Sequence, residues 1–507
     1  MTSRRRFLLA ATLSPALLRA ATKAPAFSAD PFSLGVASGY PRADGVVLWT
    51  RLAPKPLEGG GMDPELVDVR WEVAEDEAFR RIVRKGTATA DPVNAHAVHV
   101  EVDGLAPGRA YHYRFQCGDA TSAVARTRTA PEPGRGDDRL RLAVASCQQY
   151  EQGWFTAHRH LAAEDIELVA FVGDYVYESS WGSDHVRKHG TAEPGTLAEY
   201  RDRYALYKSD PDLQRSHAAH PWVVTWDDHE VDNDYAGDRS EELDPNFPKR
   251  RAAAYKAFLE HMPLPRSMLL PGGGLRIHAR LDWGGLAKLH ILDARQYKSP
   301  QACPKPYRGG GNVVGADCAE RLGADRSMLG MAQEKWLDEG LGESRAGWNL
   351  IVQQSLFAPA QRPTGKGPMH WTDGWEGYPA ARERLLGSLL ARRPSNPVFF
   401  GGDVHATYCA NVHADPADPR SPIIATEFVA TSITSQGPAR ASTDAMVAAN
   451  PHIRYANGTV RGYGIVDIRR DRMEASLRGV ATVKLPDAAI ATVASTAVAA
   501  GKPGLQE

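Results

Sequence analysis

Three segments of the chain place ionisable side chains directly after an apolar run. They read VTWDDHEVDN (Val224–Asn233), FVGDYVYE (Phe171–Glu178) and FFGGDVHATY (Phe399–Tyr408). Unpaired charge is too costly to bury in a packed core, so these residues belong to solvated loops or to a site. Because carboxylates, imidazoles and phenols at three strand ends are all metal ligands, we interpret the segments as parts of one metal site.

Two of these segments supply the clearest candidate ligands. Asp174 has two oxygens and can bridge two cations, and Tyr177 lies three residues later, within reach of the same centre. An ordinary packed ring is the alternative for Tyr177. Asp403 and His405 point the same way at i, i+2, so we interpret them as one ligand for each of two metals.

Further candidates are less specific when each is taken alone. Asp228 could ligate the second cation and His229 could donate to a phosphoryl oxygen or a leaving group, but a solvated acidic loop or helix start fits the same residues. Cys147 ends the run LAVASC, where a cysteine is usually a small buried hydrophobe. Asp293 and Arg295 end LHILDARQY: the planar fork of Arg295 suits phosphate oxygens, and a structural salt bridge fits the pair equally.

The bulk composition is that of a soluble globular protein with two or three domains. The chain has 507 residues, of which 43% are hydrophobic and 24% charged, and its formal net charge is -1. This balance gives no support to a nucleic-acid scaffold or an anionic-membrane ligand. We also expect no transmembrane anchor and a monomer.

The elements that position the site follow a change of pattern along the chain. Residues 27–133 read as short alternating strands, and GLAPGRAYHYRF (Gly104–Phe115) resembles the tyrosine corner of a fibronectin- or immunoglobulin-like β-sandwich. After a Pro/Gly-rich linker, residues 138–470 alternate continuous apolar runs with helical segments, which predicts a layered α/β domain. We expect 471–507 to be a tail or a short helix.

The predicted helices in the α/β domain are Trp154–Glu164, Leu197–Lys208, Arg250–His261, Gly330–Leu341 and Ala380–Arg392. In such folds ligands bind beyond the carboxyl ends of the strands, where the charged motifs fall.

The N-terminus and the cysteines indicate an exported protein. Ser3–Leu9 (SRRRFLL) fits a twin-arginine export signal, and residues 1–26 end near a small-residue cleavage site. We therefore expect the twin-arginine machinery as a partner and a periplasmic or secreted location. Five cysteines are an odd number, so at least one is unpaired or metal-bound; Cys303 and Cys318 bracket a Gly-rich loop and are the best candidates for a disulfide.

Taken together, the motifs match the order and spacing of the metallophosphoesterase scheme. More narrowly, FSLGVASGYPRADGVVLWTRLAP (Phe32–Pro54), ASC, GDYVYE, TWDDHEVDN, LDARQYKSPQ and GGDVH resemble the alkaline phosphatase D family over nearly the whole mature chain. The resemblance implies a metallophosphoesterase-type α/β/β/α sandwich behind the β-sandwich. It also implies an enzyme that hydrolyses phosphomonoesters or phosphodiesters.

The resemblance further implies a mixed centre with one Fe³⁺ and one or two Ca²⁺. Thiolate and phenolate are strong donors to Fe³⁺, so the implied iron ligands are Cys147, Asp174, Tyr177 and His405. The implied calcium ligands are Asp174 as the bridge, Asp228 and Asp403, with Asn233 or Asp234 in addition. A hydroxide on the metals would attack phosphorus in line, with His229 and Arg295 as the catalytic groups.

Three other interpretations remain open at the level of sequence. A phospholipase D-like enzyme acting on lipid diesters is the main alternative, since the sequence does not separate lipid from other esters. A secreted calcium-dependent binding protein is a second, but calcium alone has no use for the thiolate of Cys147, the phenolate of Tyr177 or the imidazole of His229. A purple-acid-type phosphatase is a third, and Cys147 and Asp227-Asp228 depart from its pattern.

Overall fold

The computed structural model describes residues 26–134, 139–271, 274–363 and 367–506. The predicted signal peptide, apart from its last residue, and residues 135–138 of the predicted linker lie outside the described residues. No helix among the described residues has the length and apolarity that crossing a membrane requires.

The strands are, in chain order, β1 (Val36–Gly39), β2 (Val46–Arg51), β3 (Val67–Ala74), β4 (Ile82–Ala90), β5 (Ala97–Val102), β6 (Ala110–Cys117), β7 (Ala120–Thr121), β8 (Ala125–Arg128), β9 (Arg139–Ala145), β10 (Leu168–Val172), β11 (Pro221–Thr225), β12 (Ala279–Trp283), β13 (Ala287–Ile291), β14 (Val313–Val314), β15 (Trp348–Val352), β16 (Arg362–Pro363), β17 (Pro368–Trp371), β18 (Pro397–Gly401), β19 (Thr407–His413), β20 (Ile423–Val429), β21 (Ile453–Asn457), β22 (Arg461–Arg469), β23 (Arg472–Val480), β24 (Ile490–Ala499) and β25 (Lys502–Gln506). The α-helices are α1 (Thr156–Ala162), α2 (Leu197–Lys208), α3 (Pro211–Ala219), α4 (Phe247–His261), α5 (Met331–Glu343), α6 (Pro379–Arg392) and α7 (Arg440–Ala449).

Two large mixed sheets form the body of the fold. One has the order β25-β24-β23-β22-β9-β10-β11-β1-β2-β5 and the other β12-β13-β15-β18-β20-β19-β21. In their centres, β9, β10 and β11 run parallel, as do β13, β15, β18 and β20. These strands are buried on both faces, as their continuous apolar runs predict.

Successive residues of one strand pack into different layers. Leu350 and Val352 of β15 and Phe400 of β18 join the large core cluster that also contains residues of the first sheet. Ile351 and Phe399, between them in sequence, pack instead with the helices α5 and α6. With α1 to α4 beside the first sheet, the fold is the predicted α/β/β/α sandwich.

The predicted helices are present as α1, α2, α4, α5 and α6, with small differences at their ends, and the described residues also form α3 and α7. The start of α2 is set by a capping box between Thr196 and Glu199. Asp210 accepts hydrogen bonds from the first turn of α3, which begins at Pro211.

The N-terminal region is all β, and three of its strands also belong to the large sheet. The strands β3, β4, β6, β7 and β8 form a separate sheet that packs on β1, β2 and β5. Tyr111 makes the expected corner, because its hydroxyl accepts from the Ala106 amide at 2.9 Å. Since β1 pairs with β11 in parallel, residue 133 does not separate two independent sets of sheets.

The prediction of a tail or short helix for residues 471–507 is wrong. This segment forms β23, β24 and β25, which extend the first sheet beyond β22. Its Ala-, Val- and Thr-rich sequence has no strong alternation because much of β24 is exposed to solvent. β23 pairs antiparallel with β22, and β24 pairs antiparallel with β23. The backbone N–H and C=O groups of this segment therefore find their hydrogen-bond partners in the sheet and not within a helix.

Candidate metal centre

The candidate ligands converge because each follows the carboxyl end of a parallel strand. Cys147 lies two residues after β9, Asp174 two after β10, Asp228 three after β11, and Asp403 two after β18. Parallel strands end at the same edge of a sheet, and the two sheets bring their edges together here. The site is therefore assembled from both large sheets.

The first group of donors combines a thiol, a carboxylate, an imidazole and a phenol. Ligand atoms of Cys147, Asp174 and His405 all lie within 4.8 Å of one another. The Tyr177 hydroxyl donates to Oδ2 of Asp174 at 2.9 Å and lies 3.1 Å from Nε2 of His405. The structure thus brings all four sequence-predicted iron ligands into one cluster.

A second group shares Asp174 with the first. Ligand atoms of Asp174, Asp228 and His229 also lie within 4.8 Å of one another. The position of Asp174 in both groups is the geometry that a bridging carboxylate needs. Asp403 lines the same cleft, and its Oδ2 accepts a hydrogen bond from Ser355 Oγ at 2.7 Å.

A third group contains a residue that the sequence analysis missed. Asp228, Asp234 and Asp373 have carboxylate oxygens within 4.8 Å of one another. Asp373 follows β17 in the sequence HWTDG, a weak signal because that strand is short. Asn233 lines the cleft, and its amide nitrogen donates to Glu241 Oε2 at 2.9 Å.

The donors belong to an acidic cluster whose negative charge is compensated only in part, by Arg295 and Lys298. Oδ1 of Asp174 and Oδ2 of Asp227 are buried without a hydrogen-bond partner among the described residues. Burial raises the pKa of Asp174 to about 7 and that of Asp403 to about 6, and the neighbouring carboxylates add to both shifts. Burial also raises the pKa of the Cys147 thiol well above its ordinary value. Metal cations reverse this cost, so the residues present fit bound metal ions.

The backbone at these donors is strained. Cys147, Asp174, Asp403 and His405 have φ values of 59°, 58°, 64° and 51°, in the left-handed region. Each such non-glycine residue costs about 1–3 kcal/mol and persists only where its surroundings enforce it. Strain at four neighbouring donors supports a functional centre.

Two glycines allow the strand ends to approach each other. A Cβ at Gly173, whose φ is +109°, would lie 2.5 Å from Cβ of Asp227. A Cβ at Gly402 would lie 2.5 Å from Oγ of Ser146. Because glycine has no Cβ, Gly173 and Gly402 allow the loops that carry the ligands to pack closely against each other.

A buried glutamate ties two of the ligand loops together. Glu230 accepts hydrogen bonds from the backbone amides of Asp174, Tyr175 and Asp227 at 3.1, 2.6 and 2.8 Å. The loops after β10 and β11 therefore hold each other in place through one carboxylate.

His405 is held as a neutral ligand. Its Nδ1 lies 3.0 Å from the carbonyl oxygen of Gln436, to which it donates, and this leaves the lone pair of Nε2 facing the other donors. Trp181 stacks on the imidazole with ring centroids 5.4 Å apart. Burial lowers the pKa of His405 to about 3, so the ring stays unprotonated at neutral pH.

His229 has the opposite character. Its Nδ1 lies 2.8 Å from Oε2 of Glu178, a residue whose role the sequence analysis did not assign. Although burial alone would favour the neutral ring, Glu178, Asp228 and Asp174 raise the pKa of His229 well above its ordinary value. The surrounding carboxylates therefore favour the protonated form of His229, which lines the cleft.

The clamp role considered for Arg295 is not compatible with its position. The side chain is only 1% exposed, and its three nitrogens contact Asp227, Asp228 and Asp373. It also does not form a side-chain salt bridge with Asp293, which accepts from the Arg295 backbone amide at 3.0 Å. Arg295 lies behind the carboxylates as a structural cation, because the buried acidic cluster needs a compensating charge.

Two of the five cysteines form a disulfide and three are free. Cys303 and Cys318 form a disulfide with their Cα atoms 6.1 Å apart, while Cys117, Cys147 and Cys409 are free and buried. The bonded pair lies in the loop region around β14, remote in sequence from the strand ends that hold the cluster.

Comparisons with known proteins give one consistent result. A family model described as "PhoD-like phosphatase" matches residues 142–477, and one described as "PhoD-like phosphatase, N-terminal domain" matches residues 18–131. The chain is 46% identical over 495 residues to alkaline phosphatase D of Bacillus subtilis (strain 168), covering 96% of this chain and 83% of the relative.

Solved structures agree with the fold. A structure described as that of PhoD superposes with a TM-score of 0.91 at 45% identity, covering 95% of this chain and 93% of the other. A purple acid phosphatase from yellow lupin (Lupinus luteus) seeds superposes with a TM-score of 0.58 at 12% identity, covering 92% of this chain and 73% of that one. At that identity the second match speaks for the shared fold alone.

Proposed function

The chain belongs to the PhoD-like phosphatase family and is a phosphoric ester hydrolase, and on this premise we propose that it is an exported enzyme with a mixed Fe³⁺/Ca²⁺ centre. The observation that carries the metal assignment is the donor cluster of Cys147, Asp174, His405 and Tyr177. A thiolate beside a phenolate suits Fe³⁺ and not Ca²⁺.

Calcium would bind on the other side of Asp174. Asp228, which shares a donor group with Asp174, and Asp403, which lines the same cleft, would supply carboxylate oxygens to it, and Asp234 lies in a further group with Asp228. Asn233 remains a candidate, since the hydrogen bond from its amide nitrogen to Glu241 leaves its amide oxygen available. Carboxylate and amide oxygens are the ligands that Ca²⁺ prefers.

The chain's own residues prepare the site for phosphoryl transfer. Bound cations would supply charge that activates water and neutralises the phosphoryl oxygens. Glu178 orients His229 through Nδ1, so that Nε2 can donate a proton to the departing alkoxide. Ser435 Oγ donates to the Tyr177 hydroxyl oxygen at 2.8 Å, a hydrogen bond that would stabilise the phenolate form of that residue beside a bound cation.

The twin-arginine sequence at Arg4 and Arg5 supports export through the twin-arginine pathway to the periplasm or the exterior. Replacing both arginines by lysine should retain the protein in the cytoplasm. Fractionation and immunoblotting would show where the variant is located. Normal export of the variant would contradict the assignment.

The test of function is hydrolysis of bis(4-nitrophenyl) phosphate and 4-nitrophenyl phosphate by the mature protein, with and without a calcium chelator. We expect chelator-sensitive hydrolysis, and Asp174→Asn should lose at least about 1,000-fold in kcat/KM, or about 4 kcal/mol. Asp338→Asn, which removes a surface carboxylate paired with Arg392, is the matched control and should retain full activity. Unchanged turnover in Asp174→Asn would overturn the bridging role.

A further inference from the structure

The cleft at the metal centre has a second arm of different character from the first. One arm, with a volume of about 550 Å³, is lined mainly by carboxylates of the metal centre and of the adjacent loops. The other, of about 770 Å³, begins at the same Asp403 and His405 and extends toward α7. Trp371 belongs to the walls of both arms and so marks their junction.

The floor of the second arm is continuous with a hydrophobic core cluster. Leu356 and Tyr408 are buried members of that cluster, and Val404 and Met446 pack against it while lining the arm. Ala445 adds a small side chain from α7. Arg362 and Glu376 are the charged residues of the wall outside the metal centre, and most of the remaining lining is apolar. A mainly apolar concave surface of this size that opens at a site of polar donors is typical of a pocket for an organic ligand.

The two arms differ in polarity and therefore favour different substituents of a phosphoester. A phosphoryl group at Asp403 and His405 carries an organic substituent that must leave through one arm or the other. In the acidic arm an apolar substituent would desolvate exposed carboxylates such as Glu193 and Glu242 without replacing their hydrogen bonds to water. In the second arm the same substituent buries apolar surface against Leu356 and Met446.

We propose that the second arm is a substrate subsite for an apolar alkyl or aryl substituent of a phosphoester, with Ala445 and Met446 setting its depth. This inference rests on the proposed function, because it places the ester at the metal centre. It names the substrate class as esters with at least one apolar arm. A diester would leave its second, more polar substituent in the acidic arm.

The test is calorimetric binding of n-alkylphosphonates, from methyl to hexyl, to the metal-loaded protein. These compounds have one organic arm and are not hydrolysed, so the result does not depend on turnover. In the wild type, Kd should fall with chain length by up to about fourfold per methylene until the pocket is filled. Ala445→Trp should abolish this dependence while the Kd of methylphosphonate stays unchanged.

Ala448→Trp is the matched control, since Ala448 is an exposed residue of the same helix that does not line the arm. It should retain the wild-type dependence on chain length. A Kd independent of chain length in the wild type would overturn the subsite, as would an unchanged dependence in a folded Ala445→Trp protein. Failure to bind any phosphonate would overturn it as well.

The hydrolysis assay separates this inference from the proposed function. If the protein hydrolysed nitrophenyl esters but bound phosphonates of all chain lengths equally well, the proposed function would stand and the subsite would be refuted. A chain-length effect that Ala445→Trp removes, in a protein that hydrolyses neither ester, would support the subsite and refute the proposed chemistry.

Discussion

The position of Arg295 leads to a prediction about stability and not about phosphate binding. Its Nη1 lies 2.9 Å from Asp373 Oδ1 and its Nη2 lies 3.3 Å from Asp228 Oδ1, while Nε contacts Asp227. Arg295→Met keeps the approximate length of the side chain and removes the charge. Three buried carboxylates would then lose a common partner.

The magnitude follows from the burial of the cluster. Removing one partner of a buried ion pair costs about 3–5 kcal/mol, because the remaining charge is left uncompensated. For a domain the size of residues 142–477, an unfolding entropy of about 2.1 cal/mol/K per residue amounts to about 0.7 kcal/mol/K. The variant should therefore melt about 4–7 °C below the wild type.

The assay measures the melting temperature of the protein as isolated by scanning calorimetry. The KM for a nitrophenyl phosphodiester is measured in parallel. Arg384→Met is the control, since Arg384 forms a bidentate pair with Glu334 nearer the surface and its loss should cost less than about 1 kcal/mol. If Arg295→Met melted within about 1 °C of the wild type and raised KM strongly, Arg295 would contact phosphate and our interpretation of the cluster would fail.

Three further predictions concern the iron ligands, the disulfide and the buried carboxylate of Glu376. Cys147→Ser should remove visible thiolate-to-iron absorption from the purified protein; an unchanged spectrum at equal iron content would exclude the thiolate as a ligand. Replacing Cys303 and Cys318 by serine opens a loop with a sequence separation of 15 and should cost about 3 kcal/mol, or about 4 °C in melting temperature, whereas an unchanged melting temperature would show that the bond adds no stability. Burial opposes the ionisation of Glu376, but Arg382 keeps the pKa of this carboxyl below its ordinary value. The ionised Glu376 therefore stabilises the folded protein above about pH 4.3, and this contribution to the free energy of unfolding is lost as the pH falls further. The difference in melting temperature between the wild type and Glu376→Gln should accordingly be largest near neutral pH and close on acidification, and a difference independent of pH would contradict this reasoning.

The strand ends and the helices could be read from sequence because their signals are local. An apolar run that ends in Gly-Asp, as at Gly173-Asp174, is recognisable without any knowledge of its neighbours. The same holds for the capping residue Thr196 at the start of α2. The C-terminal strands β23, β24 and β25 were missed. In β24 and β25 the reason is that strands largely exposed to solvent carry no regular hydrophobic alternation.

The amino-acid sequence by itself determined the fold class, the family and the candidate ligand types, because these depend on short motifs and their order. Only the tertiary structure decided which ligands meet. Asp373 follows a short strand and joins Asp228 through a contact between residues far apart in the chain. Arg295 could not be assigned from its neighbour Asp293, since its real partners lie on other loops. Charge compensation in a buried cluster is set by distances in space, which the local sequence does not encode.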